Sequence, residues 1–223
     1  MSYLFDQELA TKDMNNFFSS NGANLKSFGS TVNQTFEAYV FASCIKWYKK
    51  NGWKVYIINP KAGSYKGEFK LKFNTRGAPA NYSYAICKKN NIIKQIHHGL
   101  RVNTRYSSYE VDKFNANICL DIAIIKETDI SIYKTDIPIS NEQLLSFGEA
   151  KHMSAFAELI ANFIGMVHEL MPNSLNPTEN FNNDILPFLY VSGGLYKTAK
   201  GIYETIKNRG YKINIYSFDN KMP

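Results

Sequence analysis

Residues Asn117 to Lys126, Asn-Ile-Cys-Leu-Asp-Ile-Ala-Ile-Ile-Lys, form the stretch that most restricts the fold. Strands with one wet face alternate apolar and polar residues. This run does not alternate, so it reads as a strand covered on both faces. Covering both faces takes helices on each side, which predicts an α/β fold with a mixed central β-sheet flanked by helices. One acid, Asp121, interrupts the run. A carboxylate there is costly without a partner, and it reads either as a functional group or as a hydrogen-bonded acid at a strand end.

Elsewhere the apolar spacing supplies the expected partners. From Thr35 to Lys50, Phe36, Tyr39, Val40, Cys44, Ile45, Trp47 and Tyr48 recur as on an amphipathic helix, which Asn51-Gly52 ends. Trp53 to Ile58 reads as a short strand and Pro60 to Gly67 as a loop. Phe69 to Phe73, Tyr82 to Cys87 and Ile92 to Ile96 read as further strands, with Lys88 to Asn91 a turn. Leu144 to Ala150 is a short apolar strand, and Ser154 to Leu170 carries a helical stripe ended by Met171-Pro172. A polar loop from Asn173 to Asn183 leads to a strand at Ile185 to Val191, a turn at Ser192-Gly193-Gly194, a helix at Tyr196 to Asn208 and a strand at Lys212 to Ser217. The 223 residues, 44% of them hydrophobic, suffice for one substantial core. The expectation is one domain over 1–223, its core at about 35–191, with an N-terminal helix and a C-terminal helix and strand added.

The second apolar strand runs into Glu149-Ala150-Lys151. On a strand, residues two apart point to one face, so Glu149 and Lys151 converge on one site, and Asp121 from a neighbouring strand adds a second carboxylate. Three charges at the end of an apolar sheet call for a compensating cation. Two carboxylates with the Ala150 carbonyl suit Mg²⁺, with Mn²⁺ as a substitute. Glu37, on the first striped helix, either helps to order such a site or is an exposed first-turn acid favoured by the helix dipole. Another E-x-K, Glu68-Phe69-Lys70, follows a Gly- and Lys-containing loop without a strand-borne acid before it, and reads as a solvated charge pair. His97, His98, Arg101 and Arg105 form a basic cluster suited to phosphates, with Tyr106 and Tyr109 available for stacking, or else a solvated loop. His152 reads as a core or supporting residue and Ser192-Gly193-Gly194 as a turn.

Composition narrows the partners. A net charge of +7 favours polyanions. Cys44, Cys87 and Cys119 are scattered, odd in number and without zinc spacing, and Cys44 and Cys119 have apolar neighbours, so buried hydrophobic roles are expected. Asp6, Glu8 and Asp13 break any apolar core at the N-terminus and no stretch is apolar enough to span a bilayer, so the expectation is cytoplasmic, with no membrane partner. Neither G-x-x-x-x-G-K-[ST] nor G-x-G-x-x-G occurs, which argues against an α/β enzyme acting on a small phosphorylated molecule.

In order and layout, a helical Glu37, a three-stranded segment, the strand Asp121, the strand Glu149-x-Lys151 and then a helix and strand, Thr35 to Val191 resembles the PD-(D/E)xK, or restriction-endonuclease-like, nuclease superfamily. The proline this superfamily carries before its Asp is Leu120 here, which removes no chemistry. The resemblance implies a Mg²⁺-dependent endonuclease hydrolysing phosphodiester bonds, with DNA as the expected substrate, of a restriction, repair or phage-defence kind. It assigns Asp121, Glu149 and Lys151, with Glu37, to catalysis, and Asp121, Glu149 and Ala150 to the metal. DNA or RNA as target, sequence specificity, and a homodimer or partner subunit stay open. The alternative is an inactive nucleic-acid-binding or assembly module of the same fold.

Overall fold

The computed structural model describes residues 5–21, 31–107, 114–134, 137–178, 185–217 and 221–222. Its elements are α1 (Gln7–Ser19), α2 (Val32–Lys50), β1 (Lys54–Ile58), β2 (Tyr84–Lys89), β3 (Ile92–Asn103), β4 (Asn117–Lys126), β5 (Leu144–Lys151), α3 (Ala157–Leu170), β6 (Phe188–Val191), α4 (Lys197–Asn208) and β7 (Asn214–Tyr216). The strands form one mixed sheet in the order β1-β2-β3-β4-β5-β6-β7. β1 to β5 pair antiparallel; β5, β6 and β7 pair parallel, with α3 and α4 as the crossovers. The Ile-rich run is the central strand β4, buried on both sides as its composition demands.

α2 starts at Thr31, whose hydroxyl accepts from Gln34 N at 3.3 Å, and ends in Lys49 and Lys50, charges that suit a helix C-terminus. Gly52 follows at φ +80°, the left-handed conformation that turns the chain into β1. With Met14 and Phe18 of α1, α2 buries Phe36, Phe41 and Ile45 against Ile96, Ile122, Ile124 and Phe188 of the sheet. On the other face α3 buries Ile160, Phe163, Val167 and Leu170, at helical spacing, and α4 buries Ala199 and Ile206. They cover Ala123, Ile125, Phe147, Leu189 and Val191. Among the described residues no helix is long and apolar enough to cross a membrane.

Three features of the β3 region depart from expectation. β3 does not stop at Ile96 but runs to Asn103. Phe69 to Phe73 is not a strand of the sheet; it lies beside β3, tied by Lys72, whose ammonium donates to the Gly99 carbonyl at 2.7 Å and whose own carbonyl is 2.8 Å from His98 Nδ1. The β3–β4 ribbon also turns over partway along. Ile96, Ile122 and Ile124 face the first core, whereas Leu100, Val102 and Leu120 face the second. The reversal falls where Gly99 stands opposite Asp121, between the pairs His98↔Ile122 and Leu100↔Leu120. Gly99 has φ +66°, and a Cβ on it would lie 2.2 Å from the Lys72 carbonyl oxygen.

Candidate active site

The β4–β5 ladder runs from Ile125↔Leu144 to Ile122↔Gly148 and stops. Beyond it, among the described residues, β5 pairs with β6, from Gly148↔Phe188 to Lys151↔Val191. Gly148 permits the change of partner, because a Cβ there would sit 2.1 Å from the Phe188 ring. At this fork the backbone groups that lose strand partners find side chains. Ala150 N donates to Asp121 Oδ2 at 2.9 Å, and Asp121 N approaches Glu149 Oε1 at 3.4 Å. Asp121 thus sits at the turnover of the β3–β4 ribbon and at the parting of β4 from β5.

Lys151 closes the group. Its Nζ lies 2.7 Å from Asp121 Oδ2 and 2.8 Å from Glu149 Oε2, as strand parity predicts for Glu149 and Lys151. The Glu149 side chain is 9% exposed, that of Asp121 20% and that of Lys151 36%, so the site opens to solvent on the lysine side. Burial first, and the neighbouring Asp121 charge second, push the Glu149 carboxyl up to about 7. Burial works against the Lys151 ammonium, but the two carboxylates and their hydrogen bonds outweigh it and hold Lys151 protonated beyond the usual lysine range.

These donors fit a hard divalent cation. Two carboxylates share one ammonium, so with both ionised the group carries a net negative charge in a mostly buried setting. In a strand, the N–H and C=O of a residue leave on the same side. The Ala150 N–H points to Asp121, while the Lys151 carbonyl accepts from Ser192 N on the other side; the Ala150 carbonyl therefore also opens towards the fork. Among the described residues no set of three His, Cys, Asp or Glu side chains gathers for a metal. An ion held by Asp121, Glu149 and Ala150 would keep several waters, the habit of Mg²⁺.

The other candidates are placed differently. Glu37 does not join the two acids in a metal-holding set. Its Oε2 faces the imidazole of His98, with 3.3 Å to Nε2, and His98 is anchored at its other nitrogen by the Lys72 carbonyl. The basic cluster does not assemble at the surface, because His97 and His98 are interior residues of β3. His97 bonds Gln95 Oε1 at 3.1 Å and stacks on Tyr84, and burial drives its pKa down to about 3, so it offers a phosphate no charge. Arg101 donates to the Thr75 carbonyl and to Asn117, pinning the loop before β2; Arg105 and Tyr106 are exposed. Tyr109 and residues 179–183 of the expected polar loop lie outside the described residues.

His152 packs against the rings of Phe5 and Phe36, as a supporting residue would. Ser192-Gly193-Gly194 is a turn laced to residues 151–155 by backbone hydrogen bonds. Glu68 and Lys70 lie off the sheet, with the Lys70 ammonium over the Tyr65 ring. Cys44 is buried, which raises its thiol pKa far above the ordinary value. The residues that sequence reading missed are Lys72 and Gly99, which fix the backbone opposite Asp121. A lysine in an alternating segment and a glycine after two histidines carry no pattern that announces this.

Compared with protein-family models, curated proteins and solved structures, the chain returns no match.

Proposed function

We propose that the chain is a metal-dependent phosphodiesterase of the PD-(D/E)xK type, on a restriction-endonuclease-like fold, with DNA as its substrate. One observation carries the reading: an Asp, a Glu and a Lys converge within hydrogen-bonding distance at the fork of a mixed sheet, in the order that superfamily uses. The net charge of +7 suits a polyanionic substrate.

Asp121, Glu149 and the Ala150 carbonyl would hold Mg²⁺. The ion would supply an activated water and neutralise charge growing on the scissile phosphate. Lys151, kept protonated by the two acids, acts by charge rather than as a general base: swung from the carboxylates towards solvent, its ammonium meets the negative charge that develops on phosphate oxygens. Glu37, through His98 and Lys72, supports the backbone opposite Asp121 and does not touch the phosphate. One feature favours the inactive nucleic-acid-binding module instead. Lys151 bridges both carboxylates, so the trio also reads as a structural ion-pair network.

Plasmid cleavage with Mg²⁺, and its arrest by EDTA, separates the two readings. Asp121→Asn should abolish cutting, with high Mg²⁺ or Mn²⁺ restoring only part. Lys151→Ala should cost on the order of 10²-fold, the scale of losing one preorganised electrostatic contact. The control Glu68→Ala with Lys70→Ala should cut normally. No metal-dependent cutting by the wild type, or normal cutting by both site variants, would overturn the assignment.

A further inference from the structure

The two parallel β–loop–α units run side by side past the catalytic lysine. Lys151 pairs with Val191 and Ala155 bridges Leu195, a constant offset of forty residues. Hydrogen bonds from Ser192 N to the Lys151 carbonyl, Ala155 N to the Gly194 carbonyl and Tyr196 N to the Ala155 carbonyl hold the loops together. The next residue in each unit is a helix-starting aromatic in extended conformation, Phe156 at φ −111°, ψ 169° and Tyr196 at φ −66°, ψ 161°. Equivalent extended positions on adjacent chains, about 4.8 Å apart, send their side chains to the same side. Phe156 is 36% exposed and Tyr196 45%.

Charge orders the surroundings. The exposed residues of α4 and its end include Lys197, Lys200, Lys207 and Arg209 against a single acid, Glu204, whereas α3 presents Glu158 and Glu169. An aromatic pair bordered by lysines, continuous with a strand end that bears Lys151, matches the chemistry that grips unpaired nucleic acid: ring faces for bases, ammonium groups for the backbone. Duplex bases are stacked on one another and present no free face to such rings.

We propose that Phe156 and Tyr196, with Lys197 and Lys200, form the surface on which a single-stranded stretch of nucleic acid lies as it enters the Asp121, Glu149 and Lys151 site; this rests on the phosphodiesterase reading. It moves the substrate contact from the expected cluster at residues 97–105 to the C-terminal ends of β5 and β6.

The test is fluorescence anisotropy of a labelled single-stranded oligonucleotide and of its duplex, in EDTA so that binding is read apart from hydrolysis. Phe156→Ala with Tyr196→Ala should weaken single-strand binding about tenfold or more and change duplex binding less. Lys197→Ala with Lys200→Ala should lower the slope of log affinity against log salt by about 1.4, two phosphates at about 0.7 each on a single strand. Lys12→Ala with Lys54→Ala removes the same charge elsewhere and should leave that slope near the wild-type value. All six substituted positions are exposed, and melting curves would confirm that each variant folds. The proposal is overturned by a wild type that does not bind the single strand, by aromatic variants that bind it like wild type, by equal losses for single strand and duplex, or by a control that loses as much slope as Lys197→Ala with Lys200→Ala. A wild type that binds through this surface but never cuts with Mg²⁺ upholds the surface and sinks the phosphodiesterase reading. Metal-dependent cutting with unaltered binding by the aromatic variant sinks the surface alone.

Discussion

Glu149, with its carboxyl held near pH 7 by burial and by Asp121, gives the site a signature that needs no substrate. An ordinary carboxyl loses its proton near pH 4.3. Between that value and about 7 the folded chain keeps a proton on Glu149 that the unfolded chain has released, so this residue's contribution to stability falls as pH rises through the window. Its slope is bounded by about 1.4 kcal/mol per pH unit for one proton. His97 works in the opposite sense. Its pKa is lowered to about 3, so the stability it contributes is present above the ordinary histidine value and is lost as pH falls below it. The two oppose each other in the acid range, and only single variants separate them. Glu149→Gln should gain stability relative to wild type as pH rises from about 5 to 8, and saturating Mg²⁺ should shrink that difference, because a bound cation favours the ionised carboxylate. Urea midpoints across that range measure both effects. A difference that stays constant with pH would show that Glu149 titrates like an exposed acid.

At the scale of elements, the ribbon turnover that places Asp121 depends on Gly99. Alanine there would need a strained φ of +66° and would drive its Cβ to 2.2 Å from a backbone oxygen. Gly99→Ala should therefore cost on the order of 1–3 kcal/mol and depress cleavage beyond what the remaining folded fraction explains, read as kcat on protein whose folding has been checked by circular dichroism. Unchanged kcat in a destabilised but folded variant would remove the link between this backbone position and the site. The same elements show what the sequence could reveal. β4, β5 and α3 were readable because continuous or periodic apolar residues mark burial directly, and the pairing of Glu149 with Lys151 was readable from strand parity. The far half of β3 was not. It buries His97, which bonds Gln95 on its own strand, together with His98 and part of Arg101, whose partners lie far along the chain: Lys72, Thr75 and Asn117. Polar side chains with distant partners look like loop until those partners are known. Phe69 to Phe73 misled for the complementary reason: its alternation matches a strand, but its ties to β3 run through Lys72 and not through a strand ladder. Glu37 was readable as a helix residue, while its partner, a buried imidazole, was not.

On the scale of the whole molecule, one sheet separates two cores, and its strands couple them. The sequence places the main core at about 35–191 and treats the last helix and strand as additions, yet Ala199, Ile206, Ile213 and Ile215 are buried in the second core. The three isoleucines alone represent roughly 5–9 kcal/mol of burial, at about 1.5–3 kcal/mol each, against a net stability of about 5–15 kcal/mol for a whole domain. A chain cut after Leu195 should therefore fail to fold cooperatively. Trp53 makes the failure informative, since it lies in the first core, across the sheet from the missing residues. If the sheet transmits the loss, the truncated chain should show no cooperative transition in tryptophan fluorescence and should bind a hydrophobic dye, whereas full-length protein should melt once, with fluorescence and far-ultraviolet circular dichroism coincident. A truncated chain that keeps a sharp fluorescence transition near the full-length temperature would mean that the α2 face folds without the α4 face. The fork of β4, β5 and β6, all of which precede the cut, would then be held by the α2 face alone, and the truncated chain should keep the Asp121, Glu149 and Lys151 geometry.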